Sequence, residues 1–155
     1  MTENIPLIVL LEEINKAFDE FGTIEAKIKE NDVKKFYEIT KNSDFQYQEK
    51  GIVSPEYFMT LLAPLATKVM LKVMGLENIP KIRGVIHSES EVNFFKPLMY
   101  DTYIIRSQVE SLKQKTGKMG DYLVFTFRLS VFDQHGDEVG NDIHQFFLRV
   151  KKEVA

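Results

Sequence analysis

The chain contains no cysteine, which excludes disulfides, thiolate metal sites and a cysteine nucleophile. It has only three histidines, His87, His135 and His144, and no His/Asp/Glu pair at helical ligand spacing that would hold a metal. No metal and no cofactor are therefore expected. Charge of one sign is also missing as a block. The 20 basic and 23 acidic residues give a net charge of −3 and are interspersed, so nothing offers a polyphosphate an electrostatic footprint. No window reaches the ~20 uninterrupted apolar residues of a membrane span. The apolar run from Ile5 to Leu11 follows Met1-Thr2-Glu3-Asn4, which has no basic side chain, and no small-residue cleavage site comes after it, so it does not read as a secretory signal. The expectation is a soluble, cytoplasmic protein that binds neither nucleic acid nor a membrane.

What is present is the material for one core. A chain of 155 residues, 44% of them hydrophobic, makes one domain, burying roughly 68–70% of its extended-chain surface. Leu7, Leu10, Ile14, Phe18 and Phe21 recur at helical steps, which predicts an amphipathic N-terminal helix docked on the protein. Gly22 breaks that pattern, and "TIEAKIK" alternates as a half-buried strand does. Asn31 or Asp32 is placed to cap a short helix through Val33, Phe36, Tyr37 and Ile39, ending near "KNSD". Ser54-Pro55-Glu56 supplies an N-cap hydroxyl and a proline at the first helical position. An apolar helix then runs through Phe58, Leu61, Leu62, Leu65, Ala66, Val69, Met70 and Val73 to Gly75. With so few polar positions it is expected to be wrapped by the rest of the fold, and Pro64 should kink or break it.

The remainder is strand-like. "RGVIHSESEVNFF", "TYIIRSQVESL", "DYLVFTFRLSVF" and "IHQFFLRV" are separated by turn-forming segments, with turns at 116–120 and 133–138 expected to make consecutive hairpins. Leu123, Phe125, Phe127, Leu129 and Val131 share one face and Thr126, Arg128 and Ser130 the other. The reading is α+β: one strand, a long central helix, then a four-strand antiparallel meander that curls around it. Residues 1–20 form the added helix and residues 21–155 the domain.

Two stretches carry a resemblance. Phe36-Tyr37-Glu38-Ile39-Thr40-Lys41-Asn42-Ser43-Asp44-Phe45-Gln46-Tyr47-Gln48-Glu49 is similar, without a gap, to the overhang segment F-A-x-A-T-G-D-x-N-P-x-H-x-D of the MaoC-like (R)-specific enoyl-CoA hydratases and 3-hydroxyacyl dehydratases. "IHSESEVNFFKPLMYDT" resembles the family's H-G-x-Q-x-F-x-x-x-R-P-x-x-x-G-D-T stretch, with His87, Phe94 or Phe95, Pro97 and Asp101 in matching order. Val53-Ser54-Pro55-Glu56-Tyr57-Phe58 stands where the N-terminal half-domains of MaoC-like dehydratases continue into a proline-rich segment. The resemblance covers about residues 20 to 150. It implies a single hot-dog domain, an acyl-CoA or other acyl thioester as ligand, and a homodimer or a heterodimer with a second hot-dog chain.

It also marks what is missing. In active members an aspartate and a histidine on the overhang move the protons of the water that adds or leaves. Here their places hold Asn42 and Tyr47. An amide has no useful proton affinity, and a phenol with a reference pKa near ~10 is a poor base at neutral pH. The place of the family's oxyanion-binding amide holds Pro55, which has no N–H. The resemblance thus implies a subunit that binds an acyl chain, through Asn42, Tyr47, Ser54, Pro55, Tyr57, Phe58 and His87, while a partner supplies the chemistry. Two alternatives stay open: an acyl-CoA thioesterase using a carboxylate near the central helix, with Glu56, Asp44 and Glu49 nearest, or a structural subunit with no acyl ligand. His87 and Glu56 are the catalytic candidates in reserve. Glu56 reads equally as a first-turn acid stabilised by the helix dipole. His135 is expected in an exposed turn and His144 as a hydrogen-bonded strand residue. Met59, Met70 and Met74, with Tyr57 and Phe58, line either an acyl channel or the core.

Overall fold

The computed structural model describes residues 7–41 and 45–151, and only the backbone of residues 45 and 46. The first helix, α1 (Leu7–Phe21), buries Leu10, Ile14, Ala17 and Phe18. Gly22 ends it with a positive φ of 59°, a conformation open to glycine at no steric cost. Strand β1 (Thr23–Lys27) follows, then α2 (Glu30–Thr40), a short α3 (Phe45–Glu49), β2 (Ile52–Val53) and the central helix α4 (Tyr57–Met74). The second half is β3 (Ile82–Phe94), β4 (Leu98–Met99), β5 (Thr102–Gly117), β6 (Gly120–Phe132) and β7 (Glu138–Val150).

The long strands form one antiparallel sheet in the order β1-β5-β6-β7-β3, and β2 pairs with β4 in a separate two-stranded sheet. Alternation along β6 sets the faces: Leu123, Phe125, Phe127, Leu129 and Val131 are all buried on the inner side. Both expected hairpins form, at Gly117↔Gly120 and around 133–137. The four strands do not, however, make a simple meander. β3 pairs with the last strand, β7, at the far edge of the sheet, because Pro97 and the β4 excursion separate it from β5. Adjacency of β3 and β7 is a non-local pairing that no turn announces.

Three local expectations need correction. Helix α2 starts earlier than Asn31 or Asp32 would place it: its N-cap is Lys29, with no side-chain cap, so both lie in the first turn. Ile39 is exposed rather than packed. Helix α4 is not wrapped on all sides. It buries Tyr57, Phe58, Leu62, Leu65, Ala66, Val69, Met70 and Val73, while Met59, Leu71 and Met74 remain exposed on the other face. It is long and apolar enough to cross a membrane by length and composition alone, and 44% of that span is buried inside the protein. Pro64 does not break it. Thr60 and Pro64 both lie on the exposed face, where water can take the Thr60 carbonyl that the missing N–H leaves unbonded.

The sheet's inner face is shared between two helices. Phe18 of α1 meets Phe125 and Phe127 edge-on and tilted, with ring centroids 6.1 and 6.0 Å away. The N-terminal helix is therefore part of the core. Phe18→Ala should cost about 3–4 kcal/mol, the usual price of removing a fully buried aromatic ring. Urea unfolding should show a lower midpoint with an unchanged slope. A loss below about 1 kcal/mol would mean that α1 is not part of the cooperative core.

Candidate functional site

The start of α4 is held from two sides. From α2, Phe36 packs edge-on against Tyr57 at 5.3 Å, and the Tyr37 hydroxyl accepts the Ser54 backbone N–H at 2.8 Å. From the sheet, Phe94 of β3 packs edge-on against Phe58 at 5.0 Å. Phe58 reaches the sheet because residue 140 is glycine. A Cβ there would stand 2.7 Å from the Asn93 carbonyl oxygen and 3.2 Å from the Phe58 ring.

Ser54 does not cap the helix as its sequence position suggests. The helix begins at Tyr57 with Glu56 as its N-cap and no side-chain cap bond. A tight turn replaces it: Tyr57 N–H donates to Ser54 O and Phe58 N–H to Pro55 O, both at 3.0 Å. With the Ser54 N–H taken by Tyr37 and Pro55 lacking one, Glu56 N–H is the backbone donor of this turn that has no partner among the described residues. The Ser54 hydroxyl is a second unused donor here. It is fully buried and has no hydrogen-bond partner among the described residues. Burial, and secondarily the Asp32 carboxylate, pushes the Tyr57 phenol above its ordinary value, which keeps it a proton donor rather than a base.

Of the residues singled out from sequence, Ser54, Pro55, Glu56, Tyr57 and Phe58 come together at this helix start. Tyr47 is half-buried on α3, beside β2, whereas Pro55, Glu56 and Glu49 are exposed. Asn42 and Asp44 lie outside the described residues. Met70 belongs to the core, and Met59 and Met74 are partly exposed. Asp101 is exposed, with one carboxylate oxygen accepting from Thr102 N–H at 2.7 Å. His135 is in the exposed turn, as expected.

His87 is not at the helix start. It lies seven positions before Phe94 on β3 and pairs with Phe146, about 20 Å of strand away at ~3.3 Å per residue. It joins His144 and Asp142 of β7 in a second polar cluster. His87 Nε2 and His144 Nδ1 are 3.2 Å apart, His144 Nε2 and Asp142 Oδ2 are 2.8 Å apart, and Ser90 Oγ donates to Asp142 Oδ1 at 2.6 Å. Asp142 is fully buried and His144 nearly so. Among the described residues no group of three or more His, Asp and Glu could hold a metal ion.

The matching protein-family model is the "FAS1-like, dehydratase domain region", over residues 19–141. The chain belongs to this family, a MaoC-like hot-dog group. No curated protein matches the sequence significantly. Solved structures share the hot-dog fold at low identity. The ChsH1-ChsH2 complex of Mycobacterium tuberculosis matches with a TM-score of 0.64 at 12% identity, covering 96% of this chain and 98% of that one. The HadBC (3R)-hydroxyacyl-ACP dehydratase complex of the same organism matches at 0.59 and 15%, covering 80% and 90%. A hypothetical thioesterase from Streptococcus pneumoniae, solved with coenzyme A, matches at 0.52 and 16%, covering 84% and 80%.

The close approach at Gly140 is a direct test of how the FAS1-like dehydratase-region fold holds its helix start. Gly140→Ala should cost about 1–3 kcal/mol by overpacking, read as a lowered denaturant midpoint. A change within about 0.5 kcal/mol would show that Phe58 and β3 yield freely.

Proposed function

We propose that this chain is a cytoplasmic, acyl-thioester-binding subunit of a MaoC-like dehydratase assembly, with residues 21–155 as its hot-dog domain and the catalytic Asp–His pair supplied by a related partner chain. The observation that carries this reading is the start of α4, where Pro55, at the family's oxyanion position, has no amide hydrogen and the N–H groups of Ser54, Tyr57 and Phe58 are taken within the protein, leaving only the exposed Glu56 N–H without a partner among the described residues. Stabilisation of that charge is usually a large part of the hydration and dehydration of acyl thioesters. Together with Asn42 and Tyr47 in place of an acid–base pair, three separate requirements of hydration are unmet. What remains suits binding: the buried Ser54 hydroxyl can donate to a thioester carbonyl, with Tyr47, Tyr57, Phe58 and Phe94 as the apolar surround.

Partnership is favoured by the edge of the sheet. Among the described residues β3 has no neighbour on its outer side, and Val85, Ile86, Phe94 and Phe95 are exposed along or just beyond it. A long unpaired edge with apolar side chains near both ends can take another chain. A second copy would bring a second Asn42 and Tyr47 and repair nothing, whereas a related chain with an intact pair completes one site. The ChsH1-ChsH2 and HadBC neighbours are hetero-complexes, and the S. pneumoniae neighbour holds coenzyme A.

The purified chain should form no 3-hydroxyacyl-CoA from crotonyl-CoA, and no enoyl-CoA from a 3-hydroxyacyl-CoA, above background by mass spectrometry. Asn42→Asp with Tyr47→His should gain little. Adding Pro55→Gly should gain up to about 10²–10³-fold more, by returning one oxyanion donor. Purification from the source should bring down a second hot-dog chain carrying the aspartate and histidine. Ready hydration by the unmodified chain alone would contradict the reading.

A further inference from the structure

The inner face of β7 should be apolar throughout, yet Asp142 and His144 stand on it between Gly140 and Phe146. Their cross-strand neighbours on β6 are Leu129 and Phe127. Removing a carboxylate and an imidazole from water at such a place is expensive, and an apolar pair of similar volume would serve stability as well or better. The arrangement around them is directional. It begins at a fully buried carboxylate, fixed by the Ser90 hydroxyl, and passes through a nearly buried imidazole. It ends at His87, whose ring is exposed and stacks on Phe146 with a centroid separation of 4.6 Å and an angle of 18°.

Protonation follows from the contacts. Asp142 Oδ2 and His144 Nε2 are both buried and have no well-aligned hydrogen-bond partner among the described residues. Their 2.8 Å contact is bent, but a bare imidazole lone pair held that close to a carboxylate oxygen would be repelled. His144 therefore carries its proton on Nε2, and its Nδ1 accepts. His87 then donates from Nε2, which leaves His87 Nδ1 with a lone pair that has no partner among the described residues.

We propose that His87 is a catalytic general base for acyl-thioester hydrolysis, with His144 and Asp142 as positioning residues that compensate its charge. This rests on the acyl-thioester reading above but uses a different site, on β3 and β7 rather than at the overhang. In the step, His87 Nδ1 takes a proton from water as the water oxygen bonds to the thioester carbonyl carbon. The C–S bond then breaks and the leaving thiolate takes the proton back from His87, giving a carboxylic acid and a thiol. While His87 is charged, its Nε2 proton is shared toward His144 Nδ1 and the Asp142 carboxylate balances the pair. Phe146 and the partly exposed Val85 flank the ring on the same face and give an acyl chain an apolar bed.

The test uses the full chain with three probes: p-nitrophenyl acetate, butyryl-CoA, and a non-hydrolysable thioether analogue of butyryl-CoA for binding. The wild type should cleave both substrates. His87→Ala, at an exposed position, should lower kcat about 10²-fold or more and recover turnover when imidazole is added, with an unchanged circular dichroism spectrum. Asp142→Asn should lower kcat with KM unchanged, and His144→Gln should do the same if the aspartate variant folds poorly. A His87→Ala protein as fast as wild type, or a wild type no faster than free imidazole, overturns the proposal. Analogue binding without hydrolysis overturns the proposal and leaves the binding reading standing. His87-dependent cleavage of p-nitrophenyl acetate with neither butyryl-CoA cleavage nor analogue binding overturns both readings and shows only a reactive imidazole.

Discussion

The fold depends on the pleat of β6. Because side chains alternate strictly across a strand, five apolar residues at every second position from Leu123 to Val131 commit one whole face of the sheet to the interior. Everything else settles onto that face. Helix α4 lies across it with Leu62, Leu65, Val69 and Val73 turned inward, α1 adds Phe18 beside Phe125 and Phe127, and β5 and β7 inherit their register from β6 on either side. Slipping β6 by one residue would turn this set outward.

The same constraint produces the polar cluster. Register with β6 fixes which face each residue of β7 occupies, so Leu148 and Phe146 face inward and, two and four positions earlier, His144 and Asp142 must as well. Ser90 and His87 reach them because the shift in pairing between His87 and Glu89 puts both on the inner side of β3. Such bulges re-aim side chains where a strand must serve something besides packing. The two ends of the inner face thus differ in character. Around Phe58, Phe94 and Gly140 it is a tightly packed apolar contact, and further along it is a chain of polar contacts that leads from the interior to the surface.

Much of this was legible in the sequence, and the part that was not has a physical reason. The α+β class, the N-terminal helix, the central helix and the faces of β6 follow from periods of 3.6 and 2 in adjacent residues, and the hot-dog family followed from the two motif stretches. Asn42, Tyr47 and Pro55 could be marked as departures from the family's chemistry by matching positions alone. The tight turn that consumes the amides of Tyr57 and Phe58 could not, since Ser54 and Pro55 spell a conventional cap and only Tyr37, seventeen residues earlier, diverts the Ser54 N–H. His144 reads from sequence as a hydrogen-bonded strand residue, but its neighbour Asp142 falls outside the run that opens at Ile143, whereas β7 begins at Glu138 and brings Asp142 into register. His87 could not be joined to it without knowing that β3 lies beside β7, across 57 residues of chain.

In the proposed arrangement a buried carboxylate sets the proton positions on two imidazoles and leaves one basic nitrogen at the surface. Long-range proton–nitrogen NMR correlations of the histidine rings, recorded where free imidazole is neutral, test it most directly. His144 should carry its hydrogen on Nε2, with slow solvent exchange, and His87 should have a hydrogen on Nε2 and an unprotonated Nδ1. A hydrogen on His87 Nδ1, or two rings that exchange with water as freely as His135, would contradict it.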